Sequence, residues 1–237
     1  MIDITRNLAD VKTRIAQAAQ RAGRSPETVK LVAITKTVGV SEIRQLIAAG
    51  QTTFGENRPQ ALRDKVTELT GVKSIHWHLV GTLQSNKIKY VYPVAEMIHS
   101  IDRRDLFEDL ARWTAKSGRA CPLLIEVHIS PEDTKHGFAP EEILPLLREL
   151  RSRDDLNVQG LMGMAPFTDD LEMIRRCFRG LAELFQRSRE LEGPGYHALE
   201  LSMGMTDDFE IAIEEGATLV RIGRALFVDE HGNDPSA

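Results

Sequence analysis

Eight short apolar runs recur along this chain, each parted from the next by a segment with helical character. Leu31–Thr35, Thr52–Phe54, Ile75–Val80, Met97–Ile101, Leu123–Ile129, Val158–Leu161, Ala198–Leu201 and Leu219–Ile222 all have the length of strands. Helical patterns lie between them, among them Ser41 to Ala49, Asp105 to Ala115 and Glu141 to Leu150. The longest runs from Asp170 to about Glu190, with Leu171, Ile174, Phe178, Leu181 and Phe185 spaced by three and four. Such a stripe suits a coiled-coil seam or the wall of a barrel, and the surrounding alternation selects the wall. Eight strands alternating with helices predict an α/β fold, a single (β/α)8 TIM-type barrel. Ahead of the first strand, Ile4, Leu8, Val11, Ile15 and Ala19 mark one face of an extra N-terminal helix that stops near Gly23. No Gly/Ser/Pro-rich linker divides the chain. The expectation is one barrel domain over residues 1–228 and a mobile tail over 229–237.

Composition narrows the class of protein. Hydrophobic residues make up 42% of the 237 and charged ones 27%, as in an ordinary globular domain with one large core. A net charge of −5 with no basic run argues against a nucleic-acid surface. No stretch approaches a membrane span, and Met1 to Arg6 lacks the character of a leader. Cys121 and Cys177 stand far apart and fit buried thiols of a reducing compartment, with a disulfide between them left open. The chain reads as cytoplasmic.

Two charged features break the apolar pattern at places where barrels carry chemistry. Lys36 follows the run Leu31-Val32-Ala33-Ile34-Thr35, and alternation puts it on the face of Val32 and Ile34. On the inner face of a barrel its amine would sit at the catalytic end, where desolvation favours the neutral form that condenses with aldehydes. The alternative is a lysine that has left the strand for water. At the other end, strand seven runs into Ser202-Met203-Gly204-Met205 and strand eight into Ile222-Gly223-Arg224. Barrels often bind phosphate between these two loops. Gly204 and Gly223 let backbone amides approach, Ser202 offers a hydroxyl and Arg224 a guanidinium. Thr206-Asp207-Asp208 reads as the cap and acidic first turn of the next helix. An amine and a phosphate cup together suggest a phosphorylated aldehyde, of which pyridoxal 5'-phosphate is the obvious one.

The segments Ala33-Ile34-Thr35-Lys36-Thr37, Phe54-Gly55-Glu56-Asn57 and His78 to Lys87 resemble the YggS/PROSC family of pyridoxal-phosphate homeostasis proteins. So do Gly160-Leu161-Met162, Leu201 to Met205 and Val220-Arg221-Ile222-Gly223, in the family's order across nearly the whole chain. The resemblance implies a barrel like the N-terminal domain of alanine racemase, with pyridoxal phosphate on Lys36 as an internal aldimine. It implies Asn57 and Met162 beside the cofactor, Arg221 at the pyridine nitrogen, and Ser202, Gly223 and Arg224 around the phosphate. The family often has threonine where this chain has Arg224, and Glu-Val-Asn where it has Glu126-Val127-His128. Lys135, in Thr134-Lys135-His136-Gly137, matches a family loop and is either a second amine near the pocket or a solvated lysine.

Physical chemistry fits Arg221 to that place, the alternative being a surface arginine in an ion pair. Guanidinium only donates hydrogen bonds, so facing a pyridine nitrogen it favours the unprotonated ring, a poorer electron sink. His76 and His78 share a strand face, as do Glu126 and His128, but no third and fourth ligand follows at a familiar spacing. No metal site is expected, and these polar residues are read as lining the barrel mouth. His99, His136, His197 and His231 form no pattern.

Three functions compete. A carrier would bind and buffer pyridoxal phosphate and pass it to apoenzymes that depend on it. A racemase or decarboxylase would use the same cofactor, and a Schiff-base aldolase would use Lys36 alone. The aldolase gains nothing from Arg221. A racemase needs a second acid/base, which alanine racemase takes from a further domain for which these units leave no residues. Tyr90, Tyr92 and Tyr196 all lie away from the carboxyl ends of the expected strands. The expectation is a monomeric, non-catalytic pyridoxal phosphate carrier with no catalytic residue.

Overall fold

The computed structural model describes residues 2–131 and 136–228. Lys135 and the tail 229–237 lie outside the described residues. Eight parallel strands close into a barrel in sequence order, β1 pairing with both β2 and β8. They are β1 (Lys30–Ile34), β2 (Thr53–Glu56), β3 (His76–Leu79), β4 (Met97–Ile101), β5 (Pro122–Val127), β6 (Asn157–Gly163), β7 (Tyr196–Ser202) and β8 (Leu219–Ile222). The helices are α1 (Ile4–Arg21), α2 (Val40–Ala48), α3 (Pro59–Glu68), α4 (Ile88–Val91), α5 (Asp105–Ser117), α6 (Pro140–Leu150), α7 (Leu171–Ser188), α8 (Phe209–Glu214) and α9 (Arg224–Phe227). Each expected strand is present, with β4 and β8 at the expected bounds and the others within two residues at either end.

Local chemistry sets the long helices. In α1 the side chain of Asp3 accepts from the Arg6 amide, and Ile4, Leu8, Val11, Ile15 and Ala19 are buried. In α7 Asp170 caps the start through the Met173 amide, and Ile174, Phe178, Leu181 and Phe185 are buried on the barrel wall. Leu171 is exposed, so the stripe begins one turn later than its spacing suggests. Gly204 is obligatory after β7. Its φ is +91°, and an added Cβ would lie 2.6 Å from Ala212 Cβ and 2.8 Å from Phe209 Cα. Substitution there would push α8 off the barrel.

Two apolar clusters result. The larger fills the space between the strands and the helices, and buries Cys121. Burial pushes that thiol up to about 12, and it is not joined to Cys177, which is only half-buried. The smaller lies inside the barrel: Val32, Met97, Leu124, Met162 and Leu219, with Ile34 and Met164 against it. Barrel interiors are usually filled by layers of branched apolar side chains. Here polar groups take part of that space, and they make up the site. No described helix is long and apolar enough to cross a membrane.

Candidate functional site

Strand register brings the expected site residues together at the carboxyl ends of β1, β2 and β8. Ile34 pairs with Gly55 and Ala33 with Ile222, so Lys36, Asn57 and Gly223 follow three adjacent strands. Lys36 lies in the turn two residues beyond β1 and is exposed. The burial that its alternation with Val32 and Ile34 implied is absent, because the strand ends at Ile34. The turn itself is anchored in the wall. Thr35 is fully buried, its hydroxyl donates to Glu56 Oε1 at 2.7 Å, and Lys65 Nζ donates to the Thr35 carbonyl at 2.6 Å and to Glu56 Oε1 at 2.5 Å. A buried carboxylate needs such a cation. The pair therefore fixes the backbone that presents Lys36, while the amine stays free to meet a ligand.

Arg221 is the opposite case. It pairs in register with Val32, which places it inside the barrel, where it is 5% exposed. Nη1 donates to Ser202 Oγ at 2.6 Å and Nη2 to the Gly163 carbonyl at 3.0 Å. Both acceptors are neutral. Burial pushes the guanidinium down to about 10, and the carboxylates of Asp208 and Glu126 oppose this from a distance. Glu126 pairs in register with Met162 and is itself raised, by burial first and then by Asp102. Asp208 is raised mainly by burial.

The cup between β7 and β8 is more occupied than expected. Gly223 lies against β1, where an added Cβ would stand 3.2 Å from the Ile34 carbonyl oxygen. Arg224 is exposed and paired with Asp207. Asp208 is the N-cap residue of α8, but its carboxylate accepts from the Met205 amide and not from the helix. Ser202 is fully buried. Besides Arg221 it meets His99 Nδ1 at 2.9 Å, and His99 Nε2 in turn meets His78 Nδ1 at 2.9 Å. Beside the cup lies a cavity of about 460 Å³ lined by Met164, Phe167, Met205, Asp208 and Arg224, with the Phe167 ring 93% exposed.

The histidines differ from the sequence reading. His76 and His78 are not at the mouth: they line a cavity of about 770 Å³ at the amino ends of the strands, with Lys30, Met97 and Leu219. His76 pairs with Glu96 at 2.6 Å. His99 formed no pattern in the sequence, yet it sits at the centre of the barrel. Its only signal was a polar side chain at the same strand parity as Met97, in a strand buried throughout. Among the described residues no three His, Cys, Asp or Glu side chains are grouped to hold a metal ion.

Eight parallel strands with an amine and a buried guanidinium at their carboxyl ends define a class. A family model, the alanine racemase N-terminal domain, matches residues 7–231, and the chain belongs to that family. Within it the chain is similar to proteins named pyridoxal phosphate homeostasis protein. It is 39% identical to that of Aquifex aeolicus, over 93% of this chain and 95% of the other. It is 37% identical to that of Escherichia coli, over 96% and 97%. The structure of PipY from Synechococcus elongatus with pyridoxal phosphate bound superposes with a TM-score of 0.79 at 32% identity, over 95% of this chain and 100% of that one. Alanine racemase from Bartonella henselae shares the fold, with a TM-score of 0.68 at 15% identity; this chain covers 62% of it.

Proposed function

We propose that this chain binds pyridoxal phosphate at the carboxyl-end mouth of its barrel and serves to buffer the cofactor and hand it to enzymes that need it. The reading is supported by the full-length similarity to the homeostasis proteins and to PipY, whose structure holds pyridoxal phosphate. In this chain one observation carries it: Arg221 is a buried cation whose two hydrogen bonds both go to neutral acceptors. Burying a charge without a hydrogen-bonded counter-charge is costly, and such a group suits a ligand that brings an acceptor to it. A pyridine nitrogen or an anionic substituent is such an acceptor.

The donor set fits the cofactor. Pyridoxal phosphate supplies an aldehyde that condenses with a lysine amine, and a phosphate that takes hydrogen bonds. Lys36 offers the amine from a fixed turn. Gly223 and the Gly204 loop offer backbone, and Arg224 offers a guanidinium that a phosphate would share with Asp207. Asn57 and Met162 would border the ring. Arg221 keeps its proton across the physiological range, so it would hold the ring nitrogen of a bound cofactor unprotonated and limit the electron sink.

Non-catalytic use follows from where the tyrosines are spent. Tyr92 and Tyr196 are fully buried, with their hydroxyls on Thr114 and Ser188. The Tyr90 ring stacks with Arg63, Lys87 and Lys89 on the outer wall. None stands across the mouth from Lys36 as a second acid/base. The protein acts as a monomer, and its recipients are pyridoxal phosphate-dependent apoenzymes.

Titration with pyridoxal phosphate should give a visible band that borohydride bleaches, its hydride reducing the imine to an amine that keeps the pyridoxyl group on the protein. Deuterium exchange at the α-carbon of alanine or serine, followed by NMR in heavy water, should be far below the roughly 1–10³ per second of typical enzymes. Exchange in that range would replace the carrier by a racemase.

A further inference from the structure

The chain Arg221–Ser202–His99–His78 crosses the barrel from its mouth to its floor, and four strands contribute one residue each. We propose that Ser202, His99 and His78 form a one-directional hydrogen-bond chain that positions the Arg221 guanidinium at the mouth, so that the Ser202 hydroxyl serves Arg221 and not a phosphate. Calling Arg221 a cofactor contact rests on the function proposed above; the direction of the chain does not.

The direction follows from counting protons. Arg221 can only donate, so Ser202 Oγ accepts from it. Both imidazoles are neutral: burial holds His99 well below its ordinary range and brings His78 down to about 3. A neutral imidazole has one N–H and one acceptor nitrogen. If Ser202 donates to His99 Nδ1, the His99 proton is on Nε2 and passes to His78 Nδ1. The His78 proton is then on Nε2. Every group is then satisfied within the chain except the last N–H, on His78 Nε2, which faces the floor cavity. In the reverse order His99 Nδ1 would donate to Ser202, whose own proton would have no acceptor among the described residues, in a side chain of zero exposure. Buried hydroxyls without an acceptor are rare. Only the first order leaves no fully buried proton without an acceptor.

The far end is open. His78 lines the floor cavity of about 770 Å³, with Lys12, Lys30, Glu96 and Glu200 around it, and its Nε2 has no hydrogen bond within the described protein. A cavity that large and polar supplies an acceptor for the last proton. The mouth and the floor are thereby joined by hydrogen bonds through a core that in this fold is normally apolar.

The test begins on the protein without cofactor. Long-range ¹⁵N correlation NMR of the imidazoles at neutral pH distinguishes the two tautomers from each other and from imidazolium. The expected result is Nε2–H for both His78 and His99. Nδ1–H on His99, or an imidazolium at either residue, overturns the proposal. Ser202→Ala should release His99 into a mixture of tautomers, shift the visible band of bound pyridoxal phosphate and weaken its binding about tenfold, as loss of one oriented contact predicts. His78→Gln, three bonds away, should produce a smaller band shift in the same sense. If neither variant moves the band while both still bind the cofactor, Arg221 is not positioned by the chain. Should Ser202→Ala fail to fold, the tautomers of the unaltered protein decide alone. Correct tautomers with no visible band and no pyridoxyl group trapped by borohydride would spare the chain and sink the cofactor reading instead.

Discussion

Lys36 and Arg221 are the two cations on which the proposed cofactor site depends, and the fold treats them in opposite ways. Arg221 is buried, its direction fixed by Ser202 and the Gly163 carbonyl. Lys36 is exposed, and only the backbone before it is anchored, through Thr35, Glu56 and Lys65. A group that must receive a ring nitrogen gains from rigidity, because its orientation is set before binding. A lysine that must meet an incoming aldehyde, and release it again to a recipient, gains from access. Under the proposed function, the contrast divides binding and delivery of the cofactor between a stiff side of the mouth, β7 and β8, and a freer side after β1.

Each of the following outcomes would sharpen or break that division. The largest concerns the free side. Lys36→Ala should abolish the borohydride-sensitive visible band outright and leave stability within about 0.5 kcal/mol, as for an exposed side chain; absorbance spectra and urea unfolding read both. Peptide mapping that finds the reduced pyridoxyl group on another lysine, Lys135 included, would remove Lys36 from its role. Next comes the cup. Pyridoxal lacking the phosphate should bind about a thousandfold or more weakly in equilibrium titrations, since charge-assisted hydrogen bonds contribute about 1.5–3 kcal/mol each. Equal affinities would place the phosphate elsewhere.

On the stiff side, Arg221→Gln removes the donor-only charge. Cofactor affinity should fall by about 10- to 100-fold by titration, the loss of one charge-assisted contact, with Lys36 still trapped by borohydride. Retained affinity would show that Arg221 does not meet the ring. The smallest effect is on acid stability. His78 and His99 refuse protons when folded and accept them near pH 6.5 when unfolded. The unfolded state then binds more protons, so stability falls as pH drops below 6.5, by up to about 1.4 kcal/mol per pH unit for each histidine. Glu126 and Asp208, raised in the fold, act in the opposite sense at lower pH. Denaturant midpoints from pH 7 to 5 measure the slope, which should lessen in His78→Gln. An unchanged slope would show that His78 is not held neutral.

The sequence by itself determined the order of strands and helices, and with it the end of the barrel at which the site lies. Periodicity is local: Ile174, Phe178 and Phe185 declare a helix face whatever they pack against, and Leu219 to Ile222 declares a strand. Closure of eight such units also made Lys36, Asn57 and Gly223 neighbours, since β1 must pair with β2 and β8. Three features were decided only by tertiary structure. Lys36 is exposed because β1 ends at Ile34, and strand ends depend on where the neighbouring strands stop pairing. Arg224 is engaged by Asp207, seventeen residues away, which no spacing rule foretells. His99 carries no motif and gains its meaning from Ser202 and His78 on other strands, 103 and 21 residues distant. Hydrogen bonds of a buried polar group are made across strands, so its partners exist only once the barrel has closed.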